Sequence, residues 1–244
     1  MISTKTALRG EQYMKNAVQA FIFDLDGVIT DTAEFHYIAW KKLADSLNIP
    51  LDREFNEELK GISRMESLEK ILIHGKKEKD YTDVQKEALA YRKNEYYKEL
   101  IKEITPKHIL PGIQELLEDI KANNKKIGLA SASKNATTIL NSLGLTEFFD
   151  YIVDAGTVKN GKPDPEIFIK AANNLHVAPE NCIGIEDAVS GVEAIKAASM
   201  YAVGVGDRDV LKRADVIVNI TEELDYIRIV NSYKKFRKEF DVFE

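Results

Sequence analysis

The chain has 244 residues, of which 44% are hydrophobic and 30% charged, with a net charge of -6 and a pI near 5.4. That composition is typical of a globular protein with one good-sized core, or a core plus a smaller domain, and differs from that of a disordered chain. The acidic balance argues against a nucleic-acid partner, and the lack of an apolar run near the ~20 residues of a bilayer span argues against a membrane partner.

Residues 1–17 contain charges and no continuous apolar stretch of the kind found in signal peptides, so we interpret them as a loose N-terminal tail. The single cysteine, Cys182, cannot form an internal disulfide, and its apolar neighbours indicate a packed strand residue rather than a reactive thiol. A reducing, cytoplasmic location is therefore expected.

The apolar run from Val18 to Phe23 is too short for an amphipathic helix and is rich in β-forming residues. It therefore predicts a buried strand of a parallel sheet. Asp24 and Asp26 follow at its carboxyl end, where open α/β sheets bind their ligands. The alternative is that both are ordinary loop carboxylates in a turn set by Gly27.

Between Asp31 and about His108 the periodicity is helical throughout, which predicts an inserted helical domain. Its first helix carries an apolar stripe, so Trp40 is expected in the core rather than against a ligand. The stripe consists of Phe35, Ala39, Trp40, Leu43 and Leu47. Because the insert directly follows the first strand, we expect it to lie over the site as a lid.

Two capping boxes, Ser63-x-x-Glu66 and Thr82-x-x-Gln85, predict helix starts within the insert. In the long charged segment from 83 to 104, the expected apolar side carries Val84, Ala88, Tyr91 and Leu100.

Four further strands are predicted near 126–130, 181–185, 201–205 and 215–220, with helices at 111–122 and 135–143 and after 187. This alternation predicts an α/β fold, with a Rossmann-like doubly wound parallel sheet core and an inserted small α-helical cap domain. We expect a core of residues 18–32 and 108–244 and a cap of residues 33–107, after the tail of residues 1–17.

The later strand ends carry complementary chemistry. The run from Ser131 to Asn135 offers hydroxyls, an amide and free N–H groups before a helix, which favours phosphate, although a Ser or Asn there is often only an N-cap. Lys162 lies between a glycine and a proline, and alone it is uninformative because most lysines are solvated. The adjacent acids Glu186 and Asp187 follow a buried strand, where they are costly without a cation or a hydrogen-bonding partner.

Together Asp24, Asp26 and Asp187, with Glu186 behind them, supply the hard oxygen ligands that suit Mg²⁺. A carboxylate that attacks a phosphate dianion meets a repulsion of about 4 kcal/mol per charge pair, at a separation of about 4 Å and an effective dielectric constant of about 20. Mg²⁺ and Lys162 would offset this repulsion. We therefore expect Asp24 to be the nucleophile, forming an aspartyl-phosphate, and Asp26 to be the general acid and base.

These residues resemble the haloacid dehalogenase superfamily and, within it, the β-phosphoglucomutase branch. The matching segments are 24–32, 33–36, 59–64, 92–94, 131–135, 162–163 and 186–187. The resemblance implies Mg²⁺ on the side chains of Asp24, Glu186 and Asp187 and on the backbone carbonyl of Asp26. It also implies Ser131, Ala132 and Lys162 around the transferring phosphate.

For the insert, the resemblance implies that Arg64 holds a second, non-transferring phosphate. Arg64 directly follows the Ser63 N-cap, where a helix start and a guanidinium both favour an anion, although a solvated arginine is the simpler interpretation of that position alone. The remaining expected residues lie near the sugar or couple closure to catalysis: Thr32, His36, Lys60, Gly61, Lys93, Ser133, Lys134 and Asn135.

The leading hypothesis is a Mg²⁺-dependent, monomeric isomerase. It would interconvert β-D-glucose 1-phosphate and glucose 6-phosphate through an aspartyl-phosphate, with β-glucose 1,6-bisphosphate as the activating intermediate. One alternative is a sugar-phosphate phosphatase that passes the phosphoryl group to water. Another is a non-catalytic phosphate-binding module on the same fold.

Overall fold

The structure is a computed structural model that describes residues 17–59 and 61–240. Lys60 and nearly all of the expected N-terminal tail lie outside these residues. Within them, six parallel strands form one sheet in the order β3-β2-β1-β4-β5-β6, which is the order of a doubly wound Rossmann-type sheet. The strands are β1 (Ala20–Phe23), β2 (Lys126–Leu129), β3 (Tyr151–Ile152), β4 (Cys182–Glu186), β5 (Tyr201–Val205) and β6 (Val216–Val218). The predicted fold class is confirmed.

The register of the central strands brings the chemistry of the chain together. Phe23, the last residue of β1, pairs with Leu129 of β2 and Ile185 of β4. The residues that follow these three strands therefore emerge side by side at one edge of the sheet. This edge includes the point between β1 and β4 where the strand order reverses, which is where open α/β sheets bind ligands.

Alternation along the strands gives the sheet two apolar faces. The helices that cover these faces are α5 (Ile113–Ala122), α6 (Ala136–Leu143), α7 (Glu166–Asn174), α8 (Val189–Ala197) and α9 (Tyr226–Phe240). Phe21 and Phe23 pack on one face with α5, α6 and α9, while Ala20 and Ile22 pack on the other with α7 and α8. Because helices cover both faces of the sheet, the strands are buried on both sides, and their sequences are continuous runs of apolar residues.

The segment between β1 and β2 contains four α-helices with an apolar cluster of their own. They are α1 (Ala33–Ser46), α2 (Arg53–Glu57), α3 (Arg64–His74) and α4 (Asp83–Leu100). Trp40 and Leu43 of α1 pack there with Leu68 and Leu72 of α3, which confirms the predicted core position of Trp40. Both predicted capping boxes are formed, at Ser63 for α3 and at Thr82 for α4.

Two short linkers join this segment to the sheet and run side by side. Leu110 N donates to Ile29 O at 2.9 Å, and Thr30 Oγ1 donates to His108 O at 2.7 Å. The helices therefore leave and re-enter the sheet region at one place, next to the end of β1.

The structure overturns most of the predicted apolar side of α4, of which only Leu100 packs against the core. Val84 is 75% exposed and Tyr91 is 63% exposed, and Ala88 is exposed as well. The buried face instead consists of Ala90, Lys93, Asn94 and Tyr97. A hydrophobic stripe cannot identify this face, because polar side chains are buried there against the site described below.

No helix within the described residues combines the length and the apolarity that crossing a bilayer requires.

Candidate active site

A cavity of about 210 Å³ lies between the carboxyl ends of the strands and the helical segment. Asp24, Asp26 and Asp187 line it from the sheet, and Arg64 and Lys93 line it from the helices. Both parts of the chain thus contribute charged groups to one enclosed space.

Asp24 is held by two hydrogen bonds directly after β1. Lys162 Nζ donates to its Oδ1 at 2.5 Å, and the backbone N–H of Asp26 donates to its Oδ2 at 3.0 Å. The side chain is only 7% exposed, and that exposure faces the cavity. One carboxylate is therefore fixed in orientation at the end of the central strand.

Lys162 is enclosed between two acids, since its Nζ also donates to Glu186 Oε2 at 3.1 Å. Burial favours the neutral amine, but the charges of Asp24 and Glu186 outweigh it and raise the pKa of Lys162. Lys162 is therefore an ammonium placed beneath the oxygens of Asp24 rather than in the cavity lining.

The side chains of Asp24, Glu186 and Asp187 each place one oxygen within 4.8 Å of the others. Three carboxylates exceed the charge that one ammonium can balance, and burial followed by the charge of Asp24 raises the pKa of Glu186 well above its usual value. A divalent cation would relieve this excess, and an all-oxygen donor set suits Mg²⁺. The residues present therefore fit the expected metal.

Glycine is required beside this acidic cluster. Gly27 has a φ of 76°, and a Cβ there would lie 2.0 Å from Asp187 Oδ2. The turn after β1 can pass close to Asp187 only because residue 27 has no side chain.

Asp26 has different surroundings from Asp24, although one residue separates them. Its Oδ1 accepts a short hydrogen bond from Thr32 Oγ1, which in turn accepts one from the Tyr97 hydroxyl at 3.2 Å. Part of Asp26 faces the cavity, yet burial and the neighbouring charges of Asp24 and Asp187 raise the pKa of its carboxyl well above the usual value. Its side chain is not part of the acidic cluster, so only its backbone carbonyl remains as the expected metal ligand.

The helical wall contributes His36, Arg64 and Lys93. His36 Nδ1 lies 2.8 Å from Lys93 Nζ, and burial, followed by the charges of Lys93 and Arg64, lowers the pKa of His36 well below its usual value. Arg64 is the first residue of α3 and lines the cavity.

The loop after β2 forms another wall of the cavity. Ser131 Oγ accepts from the backbone N–H of Ser133 at 3.1 Å, and Asn135 Nδ2 donates to Asn94 Oδ1 on α4 at 3.0 Å. The second bond ties the loop to the helical segment across the cavity.

Most of the residues predicted from the sequence meet at this cavity. Those in its lining are Asp24, Asp26, His36, Gly61, Arg64, Lys93, Ser131, Ala132, Ser133, Asn135 and Asp187. Thr32, Lys162 and Glu186 lie behind the lining: Thr32 contacts Asp26, and Lys162 contacts both Asp24 and Glu186. Lys134 is exposed and does not line the cavity, and Lys60 lies outside the described residues.

The sequence reasoning missed several lining residues, namely Asn56, Ser67, Asn94 and Tyr97, and it placed Trp40 in the core only. Trp40 is buried in the helical cluster and also lines the cavity. These residues lie within helices and reach the cavity only through tertiary packing. Among these residues, only Asn94 had a signal in the sequence, because it is polar and directly follows the expected site residue Lys93.

The chain is similar to several known proteins. The family model of the haloacid dehalogenase-like hydrolases matches residues 18–199. β-Phosphoglucomutase of Bacillus subtilis is 50% identical over 220 residues, which cover 90% of this chain and 97% of that protein. The crystal structure of β-phosphoglucomutase from Clostridium difficile superimposes with a TM-score of 0.89 at 54% identity, covering 90% of this chain and 98% of that one. A phosphorylated carbohydrates phosphatase of Thermotoga maritima is 35% identical over 185 residues, 75% of this chain and 82% of that protein.

Proposed function

The chain belongs to the haloacid dehalogenase-like hydrolase family and to its β-phosphoglucomutase branch, and we propose that it interconverts β-glucose 1-phosphate and glucose 6-phosphate with Asp24 as nucleophile. The observation that carries the proposal is the fixed Asp24 carboxylate, held by Lys162 at 2.5 Å and facing a cavity with a second cation, Arg64. Phosphoryl transfer depends mainly on such positioning and charge neutralisation.

In the first half-reaction, Asp24 attacks one phosphorus atom of β-glucose 1,6-bisphosphate. The sugar oxygen that was bonded to this phosphorus leaves with the bonding electrons. Lys162 lowers the repulsion between Asp24 and the incoming phosphate. Ser131 and the neighbouring backbone N–H groups of the loop after β2 bind the other oxygens of the transferring group. The product is an aspartyl-phosphate.

Asp26 is the general acid in this step and the general base in the reverse step. Its raised pKa favours the protonated carboxyl, the form that can donate a proton to the leaving oxygen. The hydrogen bond from Thr32 fixes the carboxyl group for that transfer.

A mutase must accept phosphate at two places. The aspartyl-phosphate gives its phosphoryl group to the 6-oxygen of β-glucose 1-phosphate, the resulting bisphosphate turns within the site, and its 1-phosphoryl group is transferred back to Asp24, which leaves glucose 6-phosphate. The first place is at Asp24, with Lys162 behind the carboxylate and the loop after β2 beside it, and the second is at Arg64 on α3. The first lies in the sheet region and the second in the helical segment, so both ends of the substrate are bound only when the two parts enclose it.

Mg²⁺ would be held by Asp24, Glu186, Asp187 and the Asp26 carbonyl, and would supply the further positive charge that phosphoryl transfer needs. We also propose that residues 33–107 act as a cap that excludes water, and that the enzyme works as a monomer. Size-exclusion chromatography with light scattering tests the last point.

The second candidate function is a sugar-phosphate phosphatase, with the same first half-reaction and water as the acceptor. The similarity to the Thermotoga maritima phosphatase favours this alternative. A binding module without catalysis is disfavoured, since binding alone needs no nucleophile. The chain has Lys162 and all four acids of the expected catalytic site, Asp24, Asp26, Glu186 and Asp187.

The test is ³¹P NMR of the enzyme with β-glucose 1-phosphate, Mg²⁺ and a trace of the bisphosphate. Conversion to glucose 6-phosphate supports the mutase, and stoichiometric inorganic phosphate supports the phosphatase instead. Asp24→Asn is expected to abolish turnover while the circular dichroism spectrum and melting temperature stay close to those of the parent. Retained turnover in that variant would overturn the assignment of the nucleophile.

A further inference from the structure

The site contains two buried lysines in opposite electrostatic settings. Lys162 has two carboxylates within 3.1 Å. Lys93 is equally buried, at 2% exposed, but among the described residues it has no carboxylate within ion-pair distance. Only Lys162 is therefore held as an ammonium by its neighbours.

Within the described part of the chain, the groups that contact Lys93 include no carboxylate to offset the cost of burying a positive charge. Its Nζ lies 2.8 Å from His36 Nδ1 and stands over the rings of Trp40 and Tyr97, at 4.6 and 4.8 Å from their centroids. The faces of these rings attract a cation, but they carry no negative charge. Burial and the charge of Arg64 lower the pKa of Lys93 to about 7, against a smaller opposing effect of Asp26. A large fraction of Lys93 is thus a neutral amine at neutral pH.

Lys93 also lines the cavity, as do Arg64 and the loop after β2. A small phosphorylated molecule whose phosphate is bound by the loop after β2 would have its other end towards the helical wall, which contains Lys93. The cavity therefore brings anionic ligands to an uncharged amine.

We propose that Lys93 is a carbonyl-reactive lysine, which phosphorylated aldehydes modify as an imine and thereby inhibit the enzyme. The directing role of the phosphate rests on the proposed function, whereas the reactivity of the amine does not.

In this reaction the lone pair of Lys93 Nζ attacks the carbonyl carbon, and the carbonyl oxygen is protonated. The two amine protons and the carbonyl oxygen then leave together as water, and a C=N bond replaces the C=O bond. No oxidant or reductant takes part. His36 Nδ1, which is within hydrogen-bonding distance of Nζ, can pass protons between the nitrogen and the departing oxygen.

The test treats the intact enzyme at pH 7.5 with pyridoxal 5′-phosphate or with pyridoxal, reduces the product with borohydride, and maps the labelled peptides by mass spectrometry. We expect about one equivalent of label on Lys93 with the phosphorylated aldehyde, formed roughly a hundredfold faster than on surface lysines of ordinary pKa. Glucose 6-phosphate should protect Lys93 from the label. Pyridoxal should label it at least roughly tenfold more slowly, because one lost phosphate contact corresponds to about 1.4 kcal/mol or more.

Lys93→Arg keeps a long basic side chain at this position but removes the primary amine, so it should lose the label. Lys98→Arg, at an exposed position on the same helix, should label as the parent does. Label spread over surface lysines, or label on Lys162, would overturn the proposal even if the Lys93→Arg variant folds poorly, since both are measured on the parent enzyme. Equal rates with pyridoxal and its phosphate would overturn the phosphate-directed site, and the ³¹P NMR assay on the same preparation would show separately whether the proposed function holds.

Discussion

Asp24 and Asp26 show how two carboxylates separated by one residue acquire different chemistry. Asp24 is hydrogen-bonded to the ammonium group of Lys162, while Asp26 is hydrogen-bonded to the neutral hydroxyl group of Thr32. Different surroundings for two neighbouring acids are typical of a pair in which one is the nucleophile and the other the general acid and base. The difference depends on side chains that are distant in sequence, since Lys162 is 138 residues from Asp24.

Thr32→Val should lower kcat by about tenfold with little effect on KM. The substitution removes the hydrogen bond to Asp26 without changing the shape of the side chain, so the acid is less well oriented while substrate binding is retained. Steady-state kinetics provide the measurement.

The matched control is Thr30→Val, because Thr30 is also buried and donates to a backbone carbonyl, that of His108. It should cost about 1 kcal/mol of stability and leave kcat largely intact. An equal loss of kcat in the two variants would mean that the effect at Thr32 is only structural.

The lowered pKa of Lys93 predicts a dependence of stability on pH. The folded protein releases the Lys93 proton near pH 7, whereas the unfolded chain retains it to about pH 10.4. The unfolded state therefore binds more protons between these values, and the free energy of unfolding should rise with pH by up to about 1.4 kcal/mol per unit.

Lys93→Met removes this titration, so the difference in free energy of unfolding between the parent and the variant should grow in favour of the parent from pH 7 to pH 9. Urea denaturation at both pH values measures it, and subtraction of the variant cancels the titration of other groups. A difference that is constant with pH would show that Lys93 keeps an ordinary pKa.

At the scale of whole elements, the start of α3 positions Arg64. Ser63 Oγ accepts from Glu66 N at 3.3 Å, and Glu66 Oε2 accepts from Ser63 N at 2.9 Å. This capping box fixes the first helical turn and with it the guanidinium proposed to hold the second phosphate.

Ser63→Ala should destabilise the protein by about 1 kcal/mol and raise KM for the sugar phosphate several-fold, since the first turn of α3 loosens. Thr82→Ala is the matched control, because the same capping box starts α4 at a position that does not line the cavity. It should produce a similar stability loss with unchanged KM. If both variants raise KM equally, the capping box at the start of α3 has no particular role in placing Arg64.

The elements that the sequence predicts well are those with a strong local signal. The strands after 18, 126, 181, 201 and 215 and both capping boxes are found within a few residues of their predicted bounds. Strand β3 was missed because Tyr151 and Ile152 are a half-buried pair that is too short to show a period. The prediction for α4 was wrong for Val84, Ala88 and Tyr91 because the buried face of the helix is partly polar. Only the site that this face lines explains why Lys93 and Asn94 are buried.

The same reasoning explains which site residues were found. Asp24, Ser131 and Glu186 each lie at the end of a buried strand or just beyond it, so topology alone brings them together. Asn56 and Tyr97 lie within helices, and their approach to the cavity depends on how those helices pack on the sheet. Such packing cannot be deduced from a residue's neighbours in sequence.

At the scale of the whole molecule, the proposed exclusion of water depends on how closely the helical segment approaches the sheet region. One point of approach is between Glu66 on α3 and Gly161, which directly precedes Lys162: a Cβ on Gly161 would lie 2.7 Å from Glu66 Oε2. Glu66 cannot move away freely, since the same oxygen accepts the capping hydrogen bond from Ser63 N. The bare backbone at residue 161 therefore permits the enclosed cavity.

Gly161→Ala should hold the two parts of the molecule slightly apart and admit water to the aspartyl-phosphate, because the added methyl group displaces Glu66. The expected result is a several-fold larger share of inorganic phosphate relative to glucose 6-phosphate in the ³¹P NMR assay, with Asp24 and its partners unaltered. Gly156→Ala is the control, since a Cβ there would meet only Asp154 of its own loop, at 3.1 Å. That variant should partition as the parent does, and an unchanged partition in Gly161→Ala would show that the approach of Glu66 to Gly161 does not exclude water from the site.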